Sequence, residues 1–382
     1  MVFSFLNPID EQLLHQIENL SPNCIGKKLL LHKKDDFPNL NEVKIAILGV
    51  LDNRGFQKKY ENYTINHVRS AFYKLFPGNW NFKIADLGNI PVGENVSDTY
   101  YVLKNVIEAL ISSGIVPIVI GGSQDHVYPI YRAFEGENNL INYVSIDSKL
   151  DFQGEKKAPA DSYLTKMVMD EPSNLFNFAN IGYQTYYNAQ SEIEIIDSLN
   201  FDAFRLGEIV SKIQLAEPII RDASIVSIDM TSVKSSDSGN FIDFVPNGFS
   251  GKEICTLARY AGISEAVSCF GIFNHFDTEP EGMLIGQLIW YFIEGMQYRS
   301  YESVTVNNNN FKKYIVPLEE LELIFYKSNI TERWWIELNS NSIENFSKVG
   351  KIVIPCSYED YQNSLKGDIP ERWWKLLRKS LI

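Results

Sequence analysis

The chain has 382 residues, a length that fits one large or two modest domains with a buried core. It carries 48 Asp and Glu residues against 35 Lys and Arg residues, for a formal net charge of −13. This balance argues against a general nucleic-acid or membrane-surface binder, because both partners require a basic face. Hydrophobic residues at 45% and charged residues at 22% exclude a largely disordered chain.

The cysteines and the amino-terminal segment indicate a reducing compartment. The four cysteines are scattered without a Cys-x-x-Cys pair, so neither a disulfide framework nor a thiolate zinc site is predicted. The first residues lack the basic segment and long apolar run of a secretory signal. The most apolar stretches, 106–122 and 282–296, fall short of the roughly 20 residues that a membrane-spanning helix needs. We therefore expect a cytoplasmic protein with no membrane partner.

Short apolar runs alternate with amphipathic segments through the first three hundred residues. Two of these segments, Asp98–Ser113 and Gly251–Ala261, have helical spacing, and Ser250 with Glu253 forms a capping-box pattern before the second. The runs predict buried strands at Val43–Leu48, Ile115–Ile120, Asn142–Ile146, Ser224–Ile228 and Ser268–Phe273. The alternation is typical of an α/β protein, a three-layer, doubly wound, mostly parallel sheet.

The carboxy-terminal part differs in composition. Residues 1–306 form the predicted α/β domain, and the asparagine-rich segment Val306–Phe311 predicts an exposed turn or linker. Residues 307–382 form an extension, an α/β elaboration that we expect to pack on the same core. It contains the word Glu-Arg-Trp-Trp twice, at 332–335 and 371–374. Thr331 and Pro370 precede the two words, so each word is predicted to open a helix.

Polar residues follow three of the predicted strands. Gly-Gly-Ser-Gln at 121–124 follows the second strand, Asp-Ser-Lys-Leu-Asp at 147–151 the third, and Asp-Met-Thr at 229–231 the fourth. The carboxyl ends of parallel strands share one edge of a sheet, where ligands bind. If these segments stay extended, each places alternate side chains on one side, so three aspartates converge. Such a cluster needs a metal, a lysine or protonation to compensate its charge.

These three strand ends, in this order, resemble the Gly-Gly-x-His, Asp-x-His-x-Asp and Ser-x-Asp-x-Asp motifs of the ureohydrolases. That family contains arginase, agmatinase and formimidoylglutamase, and the glycine pair is most similar to the last. The resemblance covers roughly Val43–Met296. It implies an arginase-like fold and two manganese ions that activate water for attack on a guanidinium or formimidoyl carbon. It also implies a homo-oligomer.

Three of the six ligand positions of that family are kept. Asp147, Asp151 and Asp229 match the motif aspartates. The other three positions carry Gln124, Lys149 and Thr231. From these departures we expect no metal and no cofactor, with manganese held by the three aspartates as the alternative. A lysine ammonium supplies positive charge where a metal would sit, so Lys149 is predicted to bridge the three carboxylates.

The resemblance also places a substrate cleft. The family's substrate-gripping glutamate would fall near Ile272, two residues before Asn274. Its substrate loop would fall near Ser162 and Tyr163, without the family's histidine. These four residues are therefore the candidate cleft residues.

The predicted function is that of a non-catalytic scaffold or ligand-binding homologue. The alternative is a metal-dependent hydrolase of a carbon–nitrogen bond in a formimidoyl or guanidino compound, with a depleted metal site. A third possibility is an interaction protein that binds a partner through Trp334, Trp335, Trp373 and Trp374.

A serine hydrolase is a weaker alternative. Ser123, Asp243 and His275 occur in the chain order of a catalytic triad. The glycine expected two residues after such a serine is replaced by Asp125.

Overall fold

The computed structural model describes residues 2–56, 63–135, 140–154, 158–171, 173–302, 304, 309–319, 321–338 and 352–379. Its large sheet is wholly parallel, in the order β1-β3-β2-β4-β9-β8-β5-β6-β7. The strands are β1 Leu30–Leu31, β2 Val43–Val50, β3 Lys83–Ile90, β4 Val116–Ile120, β5 Ile141–Ile146, β6 Leu175–Tyr183, β7 Asp202–Arg205, β8 Ile225–Asp229 and β9 Cys269–Phe273.

Helices flank this sheet on both faces, which makes the three layers. The helices of this part are α1 Glu11–Glu18, α2 Asn66–Lys74, α3 Val96–Ser112, α4 Val127–Arg132, α5 Tyr163–Met169, α6 Gln190–Ser198, α7 Leu206–Ser211, α8 Ala216–Arg221, α9 Ser235–Ser238, α10 Gly251–Ile263 and α11 Glu279–Met296. The carboxy-terminal extension adds α12 Tyr358–Ser364 and α13 Glu371–Lys379. None of the described helices is both long and apolar enough to cross a membrane.

The strands form because each is buried on both sides. Along β2, Ile45 and Ile47 pack into one helix layer, whereas Ala46 and Leu48 pack into the other. All five predicted strands are present within two residues of their predicted ends, and the α/β prediction is confirmed.

Both predicted helices are also present, as α3 and α10. Ser250 and Glu253 form the predicted capping box. The backbone N–H of Glu253 donates to Ser250 Oγ at 3.3 Å, and that of Ser250 donates to Glu253 Oε2 at 2.8 Å.

The carboxy-terminal extension contains a second, antiparallel sheet of β10 Phe311–Pro317, β11 Glu322–Ser328, β12 Trp334–Leu338 and β13 Ile352–Cys356. The first Glu-Arg-Trp-Trp word leads into β12, so its predicted helix is wrong. Glu332 takes a left-handed φ of 60° in the turn before β12, and Trp334 and Trp335 then pair with β13. The second word does open a helix, α13. Of the predicted linker, residues 306–308 lie outside the described residues.

The extension packs on the large sheet through buried polar contacts. Arg221 of α8 donates from Nη2 to the carbonyls of Trp334 and Cys356, at 3.0 and 3.3 Å. Lys375 of α13 donates to the Phe201 carbonyl at 3.0 Å and pairs with Asp202 at 3.1 Å, at the start of β7.

Candidate functional site

Strand register brings two of the predicted aspartates side by side. In the β5–β8 pair, Ser145 lies opposite Ser227 and Ile146 opposite Ile228. Asp147 and Asp229 come next on the two strands, so they meet at the carboxyl edge of the sheet. The neighbouring strand β9 ends opposite Asp229, and Asn274 follows it. This edge is where ligands bind in open parallel sheets.

Both strand ends turn instead of staying extended. The backbone N–H of Lys149 donates to Asp147 Oδ1 at 2.9 Å, and that of Thr231 donates to Asp229 Oδ1 at 2.6 Å. These are Asx turns, in which the carboxylate accepts from the residue two positions on. Asp151 then takes a left-handed φ of 51°. The predicted alternation along 147–151 and 229–231 is therefore wrong, although the aspartates still converge.

The three carboxylates form a buried, electrostatically coupled group. Asp147, Asp151 and Asp229 are each less than 5% exposed. Burial raises the pKa of Asp147 well above its ordinary value, and the charges of Asp229 and Asp151 raise it further. Burial also raises the pKa of Asp151 and of Asp229. Asp147 Oδ2 is buried without a hydrogen-bond partner. The group therefore favours binding a proton or a cation.

Lys149 does not bridge this group as predicted. Among the described ion pairs its Nζ contacts Asp161 at 3.4 Å, and its side chain is 43% exposed. Burial alone would lower the pKa of Lys149, but the carboxylates of Asp151 and Asp161, with those of Asp229 and Asp147, outweigh burial and raise it. Lys149 therefore stays charged at the mouth of the site, and within the described part of the chain the deeper carboxylates form no direct salt bridge.

Gln124 lies fully buried beside the aspartates. Its Nε2 donates to Ser145 Oγ at 3.3 Å and to Ser227 Oγ at 3.2 Å, and Tyr163 lies behind them, 3.5 Å from the amide. Gln124 Oε1 has no hydrogen-bond partner. Gln124, at the family's first histidine position, is thus held by Ser145 and Ser227, which lie two residues before Asp147 and Asp229. Its amide oxygen remains available as a ligand.

Asn274 joins two strand ends. Its Nδ2 donates to Asp229 Oδ2 at 2.6 Å, and its Oδ1 accepts from the backbone N–H of Gln124 at 2.9 Å. Ile272 lies within β9, with its side chain in the hydrophobic core, so the residue at the edge is Asn274, which follows β9. Ser162 donates to the Ala158 carbonyl at 3.1 Å and immediately precedes α5.

Two asparagines that the motifs did not mark fix the loop 148–150. Asn180 of β6 donates to the Lys149 carbonyl at 2.7 Å. Asn188 accepts from the Leu150 N–H at 2.7 Å and donates to the Ser148 carbonyl at 3.1 Å. The only sequence signal for Asn180 is a polar residue inside an apolar strand.

The serine-hydrolase alternative has no assembled triad. His275 Nε2 lies 2.8 Å from Tyr63 OH, and its Nδ1 accepts from the Asp277 N–H at 3.2 Å. With both nitrogens engaged, His275 cannot act as the base for Ser123, whose Oγ has no hydrogen-bond partner.

Three of the four tryptophans of the repeated words are buried in their own chain. Trp334, Trp335 and Trp373 are at most 8% exposed, whereas Trp374 is 40% exposed. Trp373 Nε1 donates to the Glu337 carbonyl at 3.0 Å. Binding of a partner through these residues stays a prediction.

A sheet of this topology with aspartates at its carboxyl edge is the framework of a ureohydrolase, and the comparisons with known proteins agree. The arginase family model matches residues 57–269. The chain belongs to the arginase family. The predicted resemblance, to formimidoylglutamases among the ureohydrolases, is confirmed.

Formimidoylglutamases are among the relatives both by sequence and by structure, together with a guanidino acid hydrolase of Mus musculus and an agmatine ureohydrolase of Thermoplasma volcanium. The Geobacillus sp. (strain WCH70) enzyme is 26% identical over 154 residues, 38% of this chain and 46% of that enzyme. The match thus spans about half the length of this curated relative. Trypanosoma cruzi formiminoglutamase superposes with a TM-score of 0.61 at 18% identity, covering 69% of this chain and 100% of that one. Bacillus subtilis formimidoylglutamase gives 0.61 at 15% identity, covering 70% and 95%.

These comparisons correct the expectation about cofactors. The Trypanosoma cruzi structure is described as containing two Mn²⁺ ions, and this chain belongs to the same family. The expectation that no cofactor is used is therefore wrong: three substituted ligand positions do not establish the loss of the metal while three carboxylates remain together.

Proposed function

We propose that this chain is a metal-dependent hydrolase of a carbon–nitrogen bond, with a formimidoyl or guanidino compound as substrate. The observation that carries the proposal is the buried group of Asp147, Asp151 and Asp229 at the carboxyl edge of an arginase-family sheet. Its carboxylates favour a bound cation, and Lys149, the lysine that the described residues place beside them, pairs with Asp161 instead.

The oxygen ligands that remain at the site suit manganese, and their number is sufficient for one ion. Carboxylate and amide oxygens are the hard ligands that Mn²⁺ accepts, and Asp147 Oδ2 and Gln124 Oε1 are both buried without partners. The imidazoles that complete the family's pair of ions are replaced by Gln124 and Lys149. Among the described residues no three acidic, His or Cys side chains are already arranged as ligands, so the carboxylates must rotate to bind.

In this proposal each residue has a separate task. Asp147, Asp151 and Asp229 hold the cation, and the ion supplies Lewis-acid activation of water. Asn274 keeps Asp229 oriented through its 2.6 Å hydrogen bond. Lys149, charged and half-exposed, donates hydrogen bonds at the mouth.

The charge of Lys149 also favours one substrate class. A guanidinium substrate is cationic and would be repelled by this ammonium, and the neutral Ile272 replaces the carboxylate that would hold it. A formimidoyl group is an amidine and is cationic too, so the net charge of the substrate decides. A formimidoyl compound with two carboxylates is a net anion and would be attracted, whereas arginine and agmatine are net cations. We therefore propose a formimidoyl amino acid ahead of arginine or agmatine.

The test combines metal content with turnover. The protein is loaded with Mn²⁺, freed of excess ion and measured by elemental analysis; we expect about one ion per chain from the donor count. Release of formamide from formimidoylglutamate should exceed release of urea from arginine or agmatine. Asp147→Asn should lose both the ion and the activity, whereas Asp243→Asn, away from the strand ends, should keep both.

Two results would contradict the proposal. Absence of bound manganese would remove the metal site. Binding without turnover of the three substrates would favour the non-catalytic ligand-binding function. A Gln124→His/Lys149→His variant, which restores both imidazoles, is expected to raise the manganese content above one ion per chain.

A further inference from the structure

A second cavity lies where the carboxy-terminal extension meets the large sheet. This junction cavity has a volume of about 740 Å³ and opens between α8, α10, β12 and α12. Its lining shares no residue with the carboxylate site. A volume of this size is in the range of small-molecule sites, roughly 300–1,000 Å³.

Two arginines line the cavity and share one carboxylate. Arg221 Nε lies 3.3 Å from Glu217 Oε1, and Arg333 Nε lies 3.4 Å from the same oxygen. The Arg221 side chain is only 5% exposed. Among the described residues, the buried Nη1 atoms of both arginines have no hydrogen-bond acceptor, although Arg333 Nη1 forms a long ion pair with Glu265. A buried guanidinium group with a donor that lacks an acceptor favours a bound anion.

Other charged side chains around the cavity form ion pairs with one another. Lys327 pairs with Glu332 at 3.3 Å, and Lys212 pairs with Glu359 at 2.8 Å. Within each of these two pairs the opposite charges cancel. Beyond the lining, Glu265 Oε1 lies 3.6 Å from Arg333 Nη1.

Glu265 Oε1 is shared with other donors. It accepts from the N–H and Oγ of Ser300, at 2.8 and 2.7 Å, and from the Tyr301 N–H at 2.9 Å. Glu265 keeps its charge while it accepts from these neutral donors, so Glu217 and Glu265 together balance the two guanidinium charges. The feature that favours an anion is therefore the buried Nη1 of Arg221, which has no acceptor among the described residues.

One wall of the cavity is aromatic. Trp334 stacks on Tyr361 with ring centroids 4.8 Å apart, and Tyr314 and Tyr358 lie 5.1 and 5.5 Å from the same indole. Tyr358 is 53% exposed and forms the outer part of this wall. Aromatic faces of this kind stack planar rings.

We propose that the junction cavity is a second ligand site, for a planar aromatic carboxylate. The carboxylate binds between Arg333 and Arg221, and the ring lies against the exposed Tyr358, which the buried Trp334 supports from behind. Because this site is formed by the extension, it is separate from the hydrolase proposal and does not depend on it.

Isothermal titration calorimetry of the full chain with indole-3-acetate tests the proposal. Indole-3-acetamide lacks the charge and cyclohexylacetate lacks the aromatic ring, so each should bind at least tenfold more weakly. Equal binding of all three, or no binding of indole-3-acetate, would overturn the proposal.

Variants locate the site. Tyr358→Ala should weaken binding at least fivefold, whereas Tyr101→Ala, an equally exposed tyrosine on α3, should not change it. Glu217→Gln removes the competing carboxylate and should tighten binding severalfold, an increase that damage to the fold cannot produce. An unchanged affinity in both Tyr358→Ala and Glu217→Gln would place the ligand elsewhere and refute the assignment.

Discussion

Glu281 is a buried carboxyl whose ionisation opposes folding. It lies in the first turn of α11 with no solvent exposure, and its Oε2 accepts from the Phe276 N–H at 3.0 Å. Its Oε1 is buried without a partner. Burial raises the pKa of Glu281 to about 7 from an ordinary value of 4.5, although hydrogen bonds from Phe276 and Thr278 act in the other direction. The substitution Glu281→Gln removes the charge and keeps the shape.

The expected magnitude follows from these two pKa values. In the folded state the carboxyl is neutral up to about pH 7, whereas in the unfolded chain it ionises from pH 4.5. Between these values the folded state binds more protons, so stability is greatest in acid and falls as the pH rises through 7. Between pH 5 and pH 8 the loss from this group is about 2.5 kcal/mol.

Urea denaturation at pH 5, 6, 7 and 8 measures this loss. From pH 5 to pH 8 the unfolding free energy of Glu281→Gln, measured relative to that of the natural protein, should increase by about 2 to 3 kcal/mol. Glu279→Gln, an exposed position in the same turn, is the control and should follow the natural protein. Parallel pH profiles for Glu281→Gln and the natural protein would refute the reasoning.

Three further predictions concern the core, the extension and the metal. Asp86→Asn should lower the free energy of unfolding in urea by about 3 to 5 kcal/mol, because it leaves the fully buried Arg69, 2.9 Å away, without its charge partner. Glu359→Gln, in the exposed pair with Lys212, should lower it by less than about 1 kcal/mol. Trp373→Ala should cost about 3 to 5 kcal/mol and Trp374→Ala under about 1 kcal/mol, since only Trp373 is buried; similar losses would contradict this packing. Mn²⁺ at 100 times its Kd should add about 2.7 kcal/mol of stability, visible as a higher melting temperature; the same rise in Asp147→Asn would place the ion elsewhere.

The parts of the fold that the sequence predicted are those whose signal is local. Strands such as β4 and β8 are short runs of apolar residues, which burial on both faces demands. β3 and β6 were not predicted, because Asp86 and Asn180 interrupt their apolar runs. Asp86 pairs with Arg69, and Asn180 Nδ2 donates to the Lys149 carbonyl, distant partners that no local pattern reveals.

The same distinction applies to the repeated word and to the site. Glu-Arg-Trp-Trp forms a strand at one position and a helix at the other. Pairing with β13 decides the first, whereas the second carries an acidic first turn and a basic last turn, which favour a helix. The meeting of Asp147 and Asp229 followed from the topology of parallel strands. The pairing of Lys149 with Asp161 could not be predicted in this way, because Asp161 comes from a separate turn whose position the tertiary fold sets.

The attachment of α13 to the start of β7 has a consequence for assembly. β7 is the last strand of the large sheet, and among the described strands it pairs on one side only. A bare sheet edge can recruit a strand from another molecule. Here the edge strand has only four residues, and Lys375 engages the Phe201 carbonyl and Asp202 at its beginning. By packing against the start of this edge strand, the extension disfavours edge-to-edge pairing with another molecule.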